Sequence, residues 1–403
     1  MANLVCPCGE VFHIEGAPAG ASVRCRKCGR VLSAASARPS AASAASEKRT
    51  VRQRSARARS AGATVMMPEG TSPSRAFRWP RYVIWLATGI TILLAVVFQF
   101  DADNSRLGML LAFAPRSWIL IPWALLLTAA LLLGVPTLLT AIVGASVAAI
   151  FVSGFELPRW RTPDVSGRAL RIVTYNTDRS ALLATTLRRD LAEWGADVVL
   201  LQDCKTIVAD SLRVRAPVSL HITPEFCFAS RYPLRRVDTL HTAVRTGTGT
   251  VGRFGNVLRY EVELPTGALL PIYSLHLESP RNALWAARNL DFSQLTTSMM
   301  VRGADSRRAT QFVSRADSAF VVAGDFNLPY GSLILKRDWG DLTNAFAEVG
   351  WGFGNTMRAG RFQVRIDHVL TPPTLVPMAV KVLNGYPSEH QPVVVDLAWR
   401  GDL

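Results

Sequence analysis

An α/β domain over residues 167–400, carried behind a membrane-anchored N-terminal part, is the fold class this sequence predicts. From residue 167 onward, short β-rich runs alternate with polar, helix-like stretches, the pattern of layered α/β structure. Residues 82–100 are nineteen positions without a charge, and residues 117–155 are thirty-nine more. Two close cysteine pairs open the chain. The 403 residues are 49% hydrophobic and carry a formal charge of +15, but +7 of it sits in residues 47–81 and only +5 in residues 167–403. Charge alone therefore does not mark the C-terminal domain as a nucleic-acid binder.

The first module spans residues 1–35. Cys6-Pro7-Cys8-Gly9 and Cys25-Arg26-Lys27-Cys28-Gly29 are two turns able to hold one tetrahedral ion through four thiolates. The segment is too short to bury a core of its own, so Zn²⁺ would supply its folding energy. It resembles a zinc ribbon, except that the first pair is separated by one residue where two are usual. Two disulfides or free thiols are the competing readings. Thiolates suited to zinc imply a reducing compartment and a cytoplasmic protein partner for this end. Residues 36–81 read as a disordered basic linker: few large apolar residues accompany Lys48, Arg49, Arg52, Arg54, Arg57 and Arg59. Its place just before an apolar span suits contact with anionic headgroups.

Residues 82–156 read as three transmembrane helices. The first is residues 82–100, with Trp79, Trp85 and Phe100 near its ends. Residues 117–155 are about twice a bilayer crossing at ~1.5 Å per residue, and break at Gly134-Val135-Pro136. Arg75, Arg78 and Arg81 precede the first span and place the N-terminus in the cytoplasm, so three crossings leave the last domain extracytoplasmic. Arg159 and Arg161, just after the last span, run against that orientation.

The last domain carries its chemistry at strand ends. Val321-Val322-Ala323-Gly324 is a buried-strand run that delivers Asp325 and, two residues on, Asn327. Similar runs lead to Asn176 and Asp178, to Gln202 and Asp203, and to His276. Arg365-Ile366-Asp367 carries an inward carboxylate, and Ser388-Glu389-His390 precedes a final strand. One polar strand end means little, since Asn and Asp also make turns. Together these residues are what metal-assisted phosphoryl chemistry requires: carboxylates for a cation, a group to position water, imidazoles to meet phosphate charge and an acid to orient an imidazole.

In this order the motifs resemble the endonuclease/exonuclease/phosphatase superfamily, and Ser230-Arg231-Tyr232-Pro233 adds a further likeness. The multi-span N-terminus looks most like its membrane-anchored bacterial branch. The resemblance implies a four-layer sandwich, two mixed sheets flanked by helices. It also implies roles. Asn176 would bind phosphate or metal, Asp203 would hold Mg²⁺ or Mn²⁺, and Asp178 and Glu389 would add acidic ligands. His276 would face the scissile phosphate, and Asp325 would align water with Asn327 as its hydrogen-bonding partner. Asp367 would orient His390, which would stabilise the charge built up at phosphorus. Two positions depart from the pattern: Asp203 stands where glutamate is usual, and Glu389 where aspartate is usual.

The reading that follows is a membrane-anchored, Mg²⁺-dependent phosphoesterase acting on a lipid headgroup, a nucleic acid or a small phosphoester. A nuclease is the nearest enzymatic rival. A membrane scaffold or sensor that binds phosphorylated ligands without turnover is the rival from another class. Cys204 and Cys227 are expected as two separate buried thiols.

Overall fold

The computed structural model describes residues 2–5, 11–14, 22–26, 28, 31–33, 79–159, 165–213, 219–240, 243–245, 251–253, 256–314, 319–360 and 362–400. Two units divide the chain, Met1–Trp79 and Pro80–Leu403. In the first, β1 (Ala2–Val5) pairs with β2 (Val11–Ile14), and β3 (Ser22–Arg24) with β4 (Val31–Ser33), both antiparallel. Cys25 and Cys28 lie between β3 and β4, with Cys25 buried. Cys6, Cys8 and nearly all of the expected linker lie outside the described residues.

The second unit begins with apolar helices. These are α1 (Trp79–Asp101), α2 (Arg106–Phe113), α3 (Leu120–Ala130, entered through a 3-10 turn at Arg116–Ile119) and α4 (Val135–Val147, continued by a π turn at Ala148–Val152). Two helices are long and apolar enough to cross a membrane, Trp79–Asp101 and Val135–Val152. A third candidate, Arg106–Phe113 with Arg116–Ala130, is bent by 82°. The straight part of that pair, Arg116–Ala130, is about 22 Å long at ~1.5 Å per residue, shorter than a hydrocarbon core of about 30 Å. The three helices pack on one another through Ile84, Trp123, Ala130, Ala141 and Ala148. Gly144 is needed there, because a Cβ would sit 2.0 Å from the Trp123 ring. Leu86, Leu93, Leu125, Leu132 and Leu139 point outward and are exposed.

The strands and helices that follow are β5 (Val165–Asn176), α5 (Leu183–Trp194), β6 (Val198–Gln202), α6 (Thr206–Arg213), β7 (Ser219–Ile222), β8 (Phe226–Ser230), β9 (Leu234–Leu240), β10 (Ala243–Arg245), β11 (Val251–Arg253), β12 (Asn256–Glu263) and β13 (Leu269–His276). Then come α7 (Arg281–Arg288), α8 (Ser293–Phe312), β14 (Val321–Asp325), α9 (Leu333–Trp339), β15 (Thr343–Asn344), α10 (Ala345–Val349), β16 (Met357–Ala359), β17 (Phe362–Val364), β18 (Asp367–Thr371), β19 (Leu375–Val382) and β20 (Val393–Arg400).

Two six-stranded mixed sheets result, ordered β19-β20-β5-β6-β8-β7 and β15-β18-β14-β13-β12-β9. Their inner faces meet through Ile172, Leu200 and Phe228 on one side and Tyr260, Ile272 and Val321 on the other. The outer face of the first sheet carries α5 and α6, through Leu187, Trp194, Val208 and Leu212. The outer face of the second carries α8 and α9, through Ala309, Ile334 and Trp339. Burial on both faces explains why β6 and β14 are continuous apolar runs instead of alternating ones.

One expectation is overturned. Cys204 and Cys227 form a disulfide, with Cα atoms 5.8 Å apart. The reason is the antiparallel pairing of β6 with β8, which sets Leu201 opposite Cys227. Asp203 then takes a left-handed turn (φ 49°) that brings Cys204 back against the same strand, where its N–H donates to the Glu225 carbonyl. Spacing along the chain does not reveal that proximity.

Candidate active site

The site is built by strand register. Parallel pairing sets Asn176 beside Gln202 at the ends of β5 and β6, and His276 beside Asp325 at the ends of β13 and β14. Antiparallel pairing sets Asp325 opposite Asp367 at the start of β18, and Asn256 opposite His276 at the start of β12. Gly324 makes the close approach of β13 and β14 possible: its φ is 143°, and a Cβ there would lie 2.0 Å from the Leu275 carbonyl oxygen. The loop before β20 is pinned by Ser388, whose hydroxyl donates to the Asn176 carbonyl (2.9 Å) and accepts from the His390 N–H (3.0 Å).

Asp325 is the hub. The Asn176 carboxamide, from the other sheet, donates to its Oδ2 at 3.0 Å, and the Asn327 backbone N–H donates to its Oδ1 at 2.9 Å. His276 Nε2 lies 3.7 Å and His390 Nε2 3.8 Å from the same Oδ2. Each imidazole has a carboxylate behind it. His390 Nδ1 donates to Asp367 at 2.9 Å, and His276 Nδ1 is 3.2 Å from Glu225, which also accepts from the Asn256 carboxamide. Burial would lower both histidine pKa values, but the carboxylates override it. Glu225, Asp325 and Asp203 raise His276 to about 9, and Asp367 and Asp325 raise His390 to about 9. Burial and then Asp367 push Asp325 up, while the two imidazoles pull it down.

Asn176, Asp178, Asp203, His276, Asp325, Asn327, Glu389 and His390 all line one groove of about 1660 Å³, and Asp367 stands behind His390. Four non-glycine residues of this groove, Asp178, Arg179, Asp203 and Asn327, have φ between 44° and 54°. Such conformations persist where surrounding structure enforces them, as at functional sites. The partnership expected of Asn327 runs through its backbone, because its carboxamide donates to the Leu277 carbonyl at 2.8 Å. Asp203 lies 3.5 Å from Arg179, and Glu389 pairs with Arg281 at 2.8 Å. Among the described residues, Asp325, Asp367 and His390 are the compact group of ionisable ligand atoms, within 4.8 Å of one another. The group could hold a metal ion, and within it His390 and Asp367 are hydrogen-bonded. Asp203, Asp178 and Asn176 offer further oxygen donors on the same groove, the ligand type a hard cation takes.

Sequence reasoning missed Glu225 and Arg302. Glu225 precedes β8, and an antiparallel strand brings its start, not its end, to the site. The same logic applied to the start of every antiparallel strand would have found it. Arg302 is buried in mid-helix and donates to the Asn327 carbonyl at 2.6 Å, for which no sequence signal exists. Asp367 does not pair with Arg365 or Arg231, since those guanidiniums meet Glu156 and Asp197. His368 is a buried structural histidine, lowered to about 4 by burial.

Residues 173–390 match the Endonuclease/Exonuclease/phosphatase family. The chain belongs to that family. An endonuclease/exonuclease/phosphatase from Beutenbergia cavernae is 19% identical and superposes with a TM-score of 0.45, over 58% of this chain and 72% of that one. TDP2 of D. rerio, complexed with a single-strand DNA product, is 17% identical with a TM-score of 0.44, over 57% and 98%. Sphingomyelinase C of Streptomyces griseocarneus is 17% identical with a TM-score of 0.38, over 57% and 99%. No curated protein sequence matches the chain. Membership in the family makes the groove the candidate active site of a phosphoesterase- or nuclease-type hydrolase.

Proposed function

We propose that the protein is a membrane-anchored, divalent-metal-dependent phosphoesterase that hydrolyses its substrate by in-line attack of water. One observation carries this reading: a single carboxylate oxygen, Asp325 Oδ2, lies 3.7 and 3.8 Å from two imidazoles, each backed by its own carboxylate. The two imidazoliums flank Asp325, and a phosphoryl group bound against their Nε2 atoms would meet positive charge that needs no reorganisation. Asp325, fixed through both oxygens by Asn176 and Asn327, aligns and deprotonates the attacking water. Asp367 fixes the orientation of the His390 ring so that Nε2 faces the site. Asp203, Asp178 and Asn176 would hold Mg²⁺ or Mn²⁺, with Glu389 as a further ligand. The ion would supply Lewis-acid neutralisation of phosphate charge. Asp325→Ala and His390→Ala should each abolish Mg²⁺-dependent hydrolysis of bis(p-nitrophenyl) phosphate while leaving the fold intact; retained turnover in either variant sinks these roles.

The anchor reading includes a topology. Asp103, just past α1, reaches Arg302; Arg116, before α3, donates to the Tyr330 carbonyl; and Glu156, after α4, pairs with Arg365. The exit of α1 and both ends of the α3–α4 hairpin thus contact the same domain. That arrangement supports a catalytic domain on the bilayer face opposite the start of α1, whether the hairpin crosses fully or re-enters. The basic residues before α1 favour the cytoplasm for that start, and the Cys204–Cys227 bond favours an oxidising compartment for the domain. Protease digestion of sealed, right-side-out vesicles should remove the catalytic domain without permeabilisation. For the N-terminal module we propose Zn²⁺ on Cys6, Cys8, Cys25 and Cys28, with a cytoplasmic protein as its partner. Metal analysis of the purified chain should find one zinc, lost on substitution of Cys25 and Cys28.

A further inference from the structure

The groove is larger than the phosphoryl chemistry needs. Ligand pockets for small molecules run to about 300–1,000 Å³, and this one is about 1660 Å³. The excess is apolar. One arm is walled by Leu110 and Phe113 of α2, Leu284 and Trp285 of α7, and Met357 and Phe362 of the β16–β17 hairpin. Trp285 is 69% and Phe362 50% exposed, so the arm opens outward between large apolar side chains.

The wall contributed by α2 locates this arm. Asp101 closes α1 and Arg106 opens α2, and Arg116 begins the turn into α3 directly after it. The segment joining two apolar helices is therefore one side of the groove, packed on α7, α8 and β17 through Met109, Phe113, Ala287, Leu295 and Val364. A hydrogen bond from Arg106 to Thr296 (3.0 Å) holds it there, and one from Lys336 to Gln99 (2.6 Å) holds the end of α1 beside it. A groove whose wall lies where α1 leaves the bilayer opens at the bilayer surface.

Charge argues the same way. The groove is lined by Asp178, Asp203, Glu225, Glu278, Asp325 and Glu389, against the imidazoliums of His276 and His390 and three arginines, of which Arg179 is paired with Asp203 and Arg281 with Glu389. A nucleic-acid strand needs a track of cations for successive phosphates, whereas here the cations gather at the two histidines and two of the three arginines are already ion-paired. One phosphate at the histidines with a hydrocarbon tail beyond it matches both ends of the groove.

We propose, building on the phosphoesterase reading, that the substrate is a membrane lipid phosphoester: its phosphate sits at Asp325, His276 and His390, and its acyl chain lies along the arm formed by α2, α7 and the β16–β17 hairpin. A chain passing from bilayer to groove exchanges one hydrocarbon surface for another, so extraction costs little, whereas a soluble phosphoester leaves the arm wetted and its apolar surface unused.

The test uses the full chain in mixed micelles of detergent with phosphatidylcholine, phosphatidylglycerol and phosphatidic acid in equal parts, with Mg²⁺. At least one of these lipids should be hydrolysed about tenfold or more faster than its deacylated, water-soluble counterpart. In Trp285→Ala and Phe362→Ala, the ratio of lipid to bis(p-nitrophenyl) phosphate turnover should fall by about tenfold. A readout independent of turnover is photolabelling of the Asp325→Ala protein by a phospholipid with a diazirine on its acyl chain; labels should fall on α2, α7 and β17. Equal rates for acylated and deacylated esters, an unchanged ratio in the variants, preferential cleavage of a single-stranded oligonucleotide, or labels confined to α1, α3 and α4 would each overturn the inference. Labelling of the arm without hydrolysis of any ester leaves the lipid inference standing and removes the hydrolase reading.

Discussion

Asp103 and Arg302 face each other 3.7 Å apart, both buried, across the junction between the apolar N-terminal helices and the α/β domain. The same guanidinium donates to the carbonyl of Asn327 and lies over the ring of Phe113, 5.2 Å from its centre. Asp103 also accepts from the hydroxyl of Ser332. One buried cation thus ties the end of α1 and the Phe113 ring of α2 to the loop that follows Asp325. Removing one partner of a buried pair strands the other, which typically costs about 3–5 kcal/mol. Arg302→Met should therefore destabilise the domain by about that amount, and Arg302→Met with Asp103→Asn by clearly less. Denaturant unfolding in detergent checks both; equal losses would mean that the two residues are not coupled.

Asp367→Asn should keep the fold and lose about 10²–10⁴-fold in kcat, with KM little changed, because the carboxylate acts through His390 and not on substrate. A variant within tenfold of the unmodified protein would show that His390 needs no orienting partner.

His276 and His390 are both raised to about 9, against about 6.5 in an unfolded chain. A raised histidine pKa contributes stability that is fully present below about 6.5 and is lost as pH rises through about 9. In chelator-treated protein, NMR of the ring nitrogens should show both histidines titrating near pH 9, with unfolding free energy declining across that interval. Glu225→Gln should bring His276 down and leave His390 near its place. Titration of both at ordinary values would dismiss Asp325 as their shared counter-charge.

Chelation should abolish phosphoester hydrolysis, and Mg²⁺ or Mn²⁺ should restore it. Asp203→Asn should raise the metal concentration needed for half-maximal rate by about tenfold or more. Asp203→Glu, which restores the usual residue of the family at that position, should stay active. An Asp203→Asn variant with an unchanged metal requirement would remove Asp203 from the ligand set.

Cys204 and Cys227 are separated by 23 positions, and loops of that size confer about 3 kcal/mol when closed by a disulfide. Cys204→Ser should lower stability by about that much. Peptide mapping without reductant should recover the linked pair from protein taken from the membrane; free thiols there would argue for a cytoplasmic domain.

Much of this protein was legible in its residues. The apolar runs before Asn176, Asp203, His276 and Asp325 are strands because both faces are buried, and burial writes itself as continuous hydrophobicity. The break at Gly134 and Pro136 marks the turn between α3 and α4, since glycine accepts the positive φ and proline suits a helix start. What only the tertiary structure decided are relationships between strands with no fixed separation along the chain. Glu225 reaches His276 because β8 runs antiparallel to β6. Cys204 meets Cys227 for the same reason. Arg302 finds Asp103 because α2 folds back onto α8. Local sequence sets the period and burial of each element, through propensity and the hydrophobic effect. Which ends come together depends on pairing and packing among distant segments, and those are energies of the whole chain.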